Sequence, residues 1–144
     1  MIPPFCDGHN LPDGLHEASW GEVLRMFGEG AKRESLCSDL LRLALRAKDC
    51  GYLRVLIWGS FVTAKVDPGD LDLMFVVPRG VTKEAVSAEC AELLDSANSR
   101  QRFGHDFYYC SDDPKVLEYF LSYLGYDNRL GKNRGLLSLD LTCL

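Results

Sequence analysis

Apolar and polar positions along the chain sort into short segments of two different periods. From about Arg33 to Lys48, Leu36, Leu40, Leu43, Ala44 and Ala47 recur at i, i+4, i+7, i+8 and i+11, the stripe that one face of an amphipathic helix presents to a core. Cys50-Gly51 ends it. A shorter helix precedes this one: Ser19-x-x-Glu22 has capping-box spacing, and Gly28 and Gly30 close the segment. Thr82 is placed to cap a helix running to about Ala97, with Val86, Cys90, Leu93, Leu94 and Ala97 on one face. Asp113-Pro114 opens a last helix, in which proline takes the first position and Leu117, Phe120, Leu121 and Leu124 face inward as far as Gly125.

Arg54 to Trp58 and Leu71 to Val77 are short β-favouring apolar runs, the first stopped by Gly59-Ser60 and the second by Pro78. The segment between them holds the turn signal Asp67-Pro68-Gly69 and is too short for a crossover helix, so antiparallel or mixed pairing is expected. A third strand is expected over Phe103 to Cys110, and Leu136 to Leu141 reads as an added edge strand. Residues 1–19, rich in Pro, Gly, Asp and His, read as an extended arm laid over the surface. The order helix, β, β, helix, β, helix makes residues 1–144 a single domain of the α+β (α/β-like) class, a small mixed β-sheet flanked by helices.

Composition narrows the function. Hydrophobic residues at 47% and charged residues at 26% match an ordinary globular chain and exclude a fibrous or disordered one. A formal net charge of −5 argues against general DNA binding through phosphate neutralisation. No apolar run approaches the length of a membrane span, and Met1-Ile2-Pro3-Pro4-Phe5 lacks the regions of a signal peptide; the expected compartment is cytoplasmic. The six cysteines include no C-x-x-C pair, so most are expected to be reduced and buried. Cys6-x-x-His9, with His16 nearby, holds half the ligands of a zinc site but lacks a second half, and reads as a polar loop.

The chemistry concentrates at Asp70 and Asp72. Side chains alternate across a strand, so these two project from one face while Leu71 and Leu73 point to the other. Neighbouring carboxylates repel, and desolvation adds to the cost, unless a cation lies between them. A hard divalent ion that takes oxygen ligands, Mg²⁺ above all or Mn²⁺ in its place, suits such a pair. Upstream, Gly59 leaves room for an anion to approach backbone N–H groups, and the Ser60 hydroxyl adds a donor. A phosphate cradle beside a metal-binding pair is what a chelated nucleoside triphosphate (NTP) requires.

The run Trp58-Gly59-Ser60, nine residues, then Asp70-Leu71-Asp72-Leu73 resembles the signature of the DNA polymerase beta-like nucleotidyltransferase superfamily. The resemblance implies the nucleotidyltransferase fold and a third carboxylate on a later strand, for which Asp106 in His105-Asp106-Phe107-Tyr108 is the candidate. Asp70, Asp72 and Asp106 would then be the catalytic metal ligands, with Asp106 also helping to activate the acceptor hydroxyl. Gly59 and Ser60 would hold the β- and γ-phosphates, and Lys65, or the tail cluster Lys132 and Arg134, would neutralise the departing pyrophosphate. Ile2 to Phe5, Leu15 to Trp20 and Gly59 to Lys65 are similar to segments of small bacterial members of that superfamily. Related minimal nucleotidyltransferases occur beside a HEPN-type partner in toxin–antitoxin or phage-defence pairs, and some transfer AMP to it.

The expected activity is therefore Mg²⁺-dependent transfer of a nucleoside monophosphate to a protein or RNA hydroxyl. The alternatives are a non-catalytic nucleotide-binding or toxin-neutralising module that keeps the fold, and a metal-dependent nuclease using the same aspartates. Among the neighbours, Lys65 and Lys132-Asn133-Arg134 read equally as solvated loop residues. His105 is expected to face away from Asp106, and Phe107, Tyr108, Tyr109, Tyr119 and Tyr123 to fill the core, with one free to stack on a base.

Overall fold

Capping dictates where the first helix starts. In a computed structural model that describes residues 1–144, Ser19 accepts from the Glu22 backbone N–H while the Glu22 carboxylate accepts from the Ser19 N–H. This reciprocal pair opens α1, Trp20–Phe27. Helix α2 spans Ala31–Asp49, and its buried residues include the stripe Leu36, Leu40, Leu43, Ala44 and Ala47. Asp113 accepts from the Lys115 N–H and Pro114 takes the first position of α5, Pro114–Leu124.

The fold is α+β. Strands β1 (Leu15–Ala18), β2 (Arg54–Trp58), β3 (Asp72–Val77), β4 (Asp106–Ser111) and β7 (Leu136–Asp140) form one mixed sheet in the order β1-β7-β2-β3-β4. β2 runs antiparallel to both β3 and β7, while β1–β7 and β3–β4 are parallel. A two-stranded hairpin, β5 (Tyr126–Asp127) and β6 (Lys132–Asn133), precedes β7.

Each face of the sheet buries its own apolar set. Val55, Ile57, Leu73, Phe75, Phe107, Leu137 and Leu139 join the α2 stripe in the main core. The alternate residues Leu56, Met74, Val76 and Cys110 meet Leu117, Phe120, Leu121 and Leu124 of α5, as the period of 2 requires. No helix is long and apolar enough to cross a membrane.

Several elements of the fold depart from the sequence expectations. Leu15–Ala18 of the N-terminal arm is an edge strand, and because it covers the outer side of β7, Leu136–Asp140 lies inside the sheet rather than at its edge. The helix expected from Thr82 to Ala97 is broken: Val86 is extended and Ser87 caps a new start, giving a 3₁₀ turn at Lys83–Ala85 and α3 at Ala88–Glu92. Phe103 ends a further helix, α4 (Ser99–Phe103), which Gly104 terminates in the left-handed conformation, so the third strand starts only at Asp106. Cys50, at the end of α2, forms a disulfide with Cys90 of α3; the other four cysteines are free, Cys37 and Cys110 buried and Cys6 and Cys143 exposed. Finally, Phe107 is buried, but Tyr108, Tyr109, Tyr119 and Tyr123 are substantially exposed and do not fill the core.

Candidate active site

Parallel pairing of β3 with β4 sets Asp72 directly beside Asp106. Register partners on adjacent strands project from the same face, here the face that also carries Trp58, Met74 and Tyr108. Asp70 lies two residues before Asp72, outside β3 but at the same end of the sheet. The Leu71 backbone between them is fixed from both sides. Its carbonyl accepts from the Asp106 N–H at 3.1 Å, and its own N–H donates to His105 Nδ1 at 3.1 Å.

Gly59 closes the site from the β2 side. Its φ of 80° and ψ of −160° lie in a region essentially restricted to glycine. A Cβ there would stand 2.3 Å from Asp72 Oδ2, so the Asp72 carboxylate rests against the bare Gly59 backbone. Ser60 opens a single 3₁₀ turn, Ser60–Val62, closed by the Thr63 N–H and hydroxyl donating to the Ser60 carbonyl. Buried Arg33 of α2 braces this loop from below: its guanidinium donates to the carbonyls of Phe61, Thr63 and Lys65 and lies over the Phe61 ring. No carboxylate pairs with it, carbonyl oxygens and ring faces meeting that charge, and burial lowers the Arg33 pKa.

Charge within the trio is divided unevenly. Arg100 of α4 donates through Nε to Asp106 Oδ1 at 3.0 Å and through Nη2 to Asp106 Oδ2 at 2.6 Å. The same Nη2 reaches Asp70 Oδ2. Asp72 has no cationic partner: burial first, then the charges of Asp70 and Asp106, push its pKa up to about 6 against the opposing pull of Arg100. An under-compensated carboxylate beside two others offers oxygen atoms only, the ligand type that hard divalent cations take. No group of three or more His, Cys, Asp or Glu side chains is assembled closely enough to hold one.

Next to the trio lies a cavity of about 620 Å³, walled by Trp58, Gly59, Asp72, Met74, Tyr108, Tyr109, Phe120, Tyr123, Tyr126 and Arg134 among others. Its size and largely aromatic lining suit a ligand with a flat ring. Trp58 and Tyr108 already contact each other, with ring centroids 5.8 Å apart. Of the basic residues expected to meet phosphate, only Arg134 lines this cavity, and it also pairs with Asp127 at 3.4 Å. Lys132 is turned to Asp7 at 3.5 Å. Lys65 borders a different groove, with Phe5, Met26 and Arg33. His16 Nε2 lies 2.6 Å from the Pro12 carbonyl, apart from Cys6 and His9.

Sequence reasoning missed Arg33, Asp39 and Arg100. No local motif marks them: Arg33 acts on Lys65 and Asp39 on His105 across more than 30 residues of chain, and Arg100, six residues from Asp106, also reaches Asp70 thirty residues away. No curated protein and no solved structure matches the chain. Residues 3–140 do match the model of one protein family, and the chain belongs to it, the Family of unknown function (DUF6932).

Proposed function

We propose that the protein is a Mg²⁺-dependent nucleotidyltransferase that moves a nucleoside monophosphate from an NTP onto a hydroxyl of a protein or RNA acceptor. The observation that carries this reading is the side-by-side pair Asp72 and Asp106, with Asp70 drawn to the same point and Gly59 against Asp72. Asp70, Asp72 and Asp106 would hold Mg²⁺ or Mn²⁺. Such a cation, when bound, neutralises triphosphate charge and eases departure of pyrophosphate.

The chain's own groups do the remaining work. The Gly59-Ser60 bend lets phosphate oxygens approach the backbone, and the Ser60 hydroxyl donates to them. Arg134 brings positive charge to the cavity wall, and the Trp58 and Tyr108 rings offer a face to the base. As the acceptor oxygen bonds to the α-phosphorus, its proton passes to Asp106. The bond from that phosphorus to the oxygen bridging the α- and β-phosphates breaks, and pyrophosphate leaves with the electron pair.

Incubation of the purified protein with Mg²⁺, α-labelled NTP and a candidate acceptor tests this, a HEPN-type toxin–antitoxin or phage-defence partner being the first acceptor to try. Label should move to the acceptor, and the double variant Asp70→Ala, Asp72→Ala should abolish transfer. Equal labelling by that variant would refute the assignment of the site.

One observation favours a second reading, a non-catalytic nucleotide-binding or toxin-neutralising module. Arg100 ties together two of the three carboxylates, so much of their charge is offset by the protein itself without a metal ion. Calorimetry with ATP and Mg²⁺ separates the readings. Binding without pyrophosphate release in the presence of the acceptor would support the module.

A further inference from the structure

The carboxylate trio carries three negative charges, and the side-chain cation paired with it is Arg100. That guanidinium forms a fork on Asp106 and reaches Asp70 with the same Nη2, and these two carboxylates are its only polar partners. Its side chain is 57% exposed, and it stands on a helix of five residues. Swinging into solvent would break no side-chain hydrogen bond other than those to Asp106 and Asp70. It therefore sits where a divalent ion must bind and is free to leave.

Leaving carries two requirements. Three carboxylates without a partner repel one another, so a cation must replace the departing charge. The freed guanidinium has its strongest alternative partner in a bidentate anion such as phosphate. A cation alone meets the first requirement and a free anion the second, whereas a cation-chelated triphosphate meets both at once.

We propose that Arg100 is a resident counter-ion that holds Asp70 and Asp106 until a nucleoside triphosphate draws it away, so that the divalent cation and the triphosphate enter together. This rests on the nucleotidyl-transfer reading of the same site. Arg100 is then a positioning residue for the empty site and a phosphate ligand for the filled one. By linkage, nucleotide tightens cation binding by the same factor as cation tightens nucleotide binding.

Mn²⁺ binding to the full chain, followed by the electron paramagnetic resonance of the free ion, tests the idea without any catalytic readout. Without nucleotide, Arg100→Gln should bind Mn²⁺ roughly tenfold more tightly than the wild type, and Arg100→Lys, which keeps the charge but not the fork, should fall between them. A triphosphate analogue with a methylene bridge between its α- and β-phosphates should tighten Mn²⁺ binding to the wild type by a larger factor than to Arg100→Gln. Melting curves establish that each variant is folded. Equal Mn²⁺ affinity in the wild type and both variants would overturn the counter-ion role while leaving the cation site standing. Absence of Mn²⁺ binding in all three, with or without the analogue, would overturn the counter-ion role and the nucleotidyl-transfer reading together.

Discussion

The Leu71 backbone N–H donates to His105 Nδ1 at 3.1 Å, which places a buried imidazole directly behind the peptide that joins Asp70 to Asp72. Because Nδ1 accepts there, the ring proton resides on Nε2 and is donated to Asp39 Oδ2 at 2.9 Å. Asp39 belongs to α2. The long helix, the histidine and the carboxylate pair are thus one mechanical unit, and the spacing of the two aspartates depends on a residue facing away from the site.

Replacing His105 by Ala strands a buried N–H and leaves Asp39 without that partner. The expected loss of stability is about 2–3 kcal/mol, read from denaturant unfolding. Asp39→Asn, whose amide oxygen can still accept from Nε2–H, should lose about 1 kcal/mol or less. Equal losses in the two variants would mean that the hydrogen bond to Leu71 contributes nothing.

Asp72 predicts the opposite sign. Its pKa in the folded protein is pushed up to about 6 by burial and then by Asp70 and Asp106, above the value near 4 of an unfolded aspartate. The neutral form is favoured in the fold, so the group's contribution to stability is complete below about pH 4 and is lost as pH rises through about 6. Asp72→Asn removes that loss. Without divalent cation, the variant should be more stable than the wild type by about 1–2 kcal/mol at pH 7.5, and the gap should close near pH 4. A variant equal to the wild type at pH 7.5 would show that neither burial nor the neighbouring carboxylates disfavour the charged form of Asp72.

Gly59 is fixed by two independent constraints, its backbone conformation and the Asp72 carboxylate 2.3 Å from where a Cβ would lie. Gly59→Ala should therefore cost about 1–3 kcal/mol and, on the nucleotidyl-transfer proposal, weaken nucleotide binding by displacing Asp72. Gly69→Ala, at a position with open space and no left-handed φ, should stay within about 0.5 kcal/mol of the wild type. Similar melting temperatures for both variants would remove the steric argument for glycine at 59.

What could be read from the sequence was local. The Ser19 capping box, the α2 stripe, Pro114 at the head of α5 and the two apolar runs around Gly59-Ser60 carry their signal within a few residues, and each forms the expected element. Asp70, Asp72 and Asp106 lie at the same end of the sheet because each stands at or next to a strand start. The departures come from long-range partners. Leu15–Ala18 has no strand pattern of its own and becomes β only against Leu136–Leu139. The stripe from Val86 to Ala97 has helical spacing, but a cap at Ser87 and the tie to Cys50 divide it. Tyr108 and Tyr123 look like core residues by composition, and their exposure reflects the cavity they line.

The Cys50–Cys90 bond closes a span of 40 residues that contains β2, β3 and the whole Gly59-Ser60 loop. Constraining the unfolded chain over such a span corresponds to about 3–4 kcal/mol, so reduction should lower the melting temperature, and the compartment decides whether the bond persists. Cysteine labelling under native conditions tests the pairing residue by residue. Exposed Cys6 and Cys143 should alkylate quickly. Burial raises the thiol pKa of Cys37, and burial followed by the charge of Asp112 pushes that of Cys110 up to about 11, so both should react slowly. Cys50 and Cys90 should take label only after reduction. Prompt labelling of Cys90 without reductant would break the link between α2 and α3, and with it the predicted difference in stability.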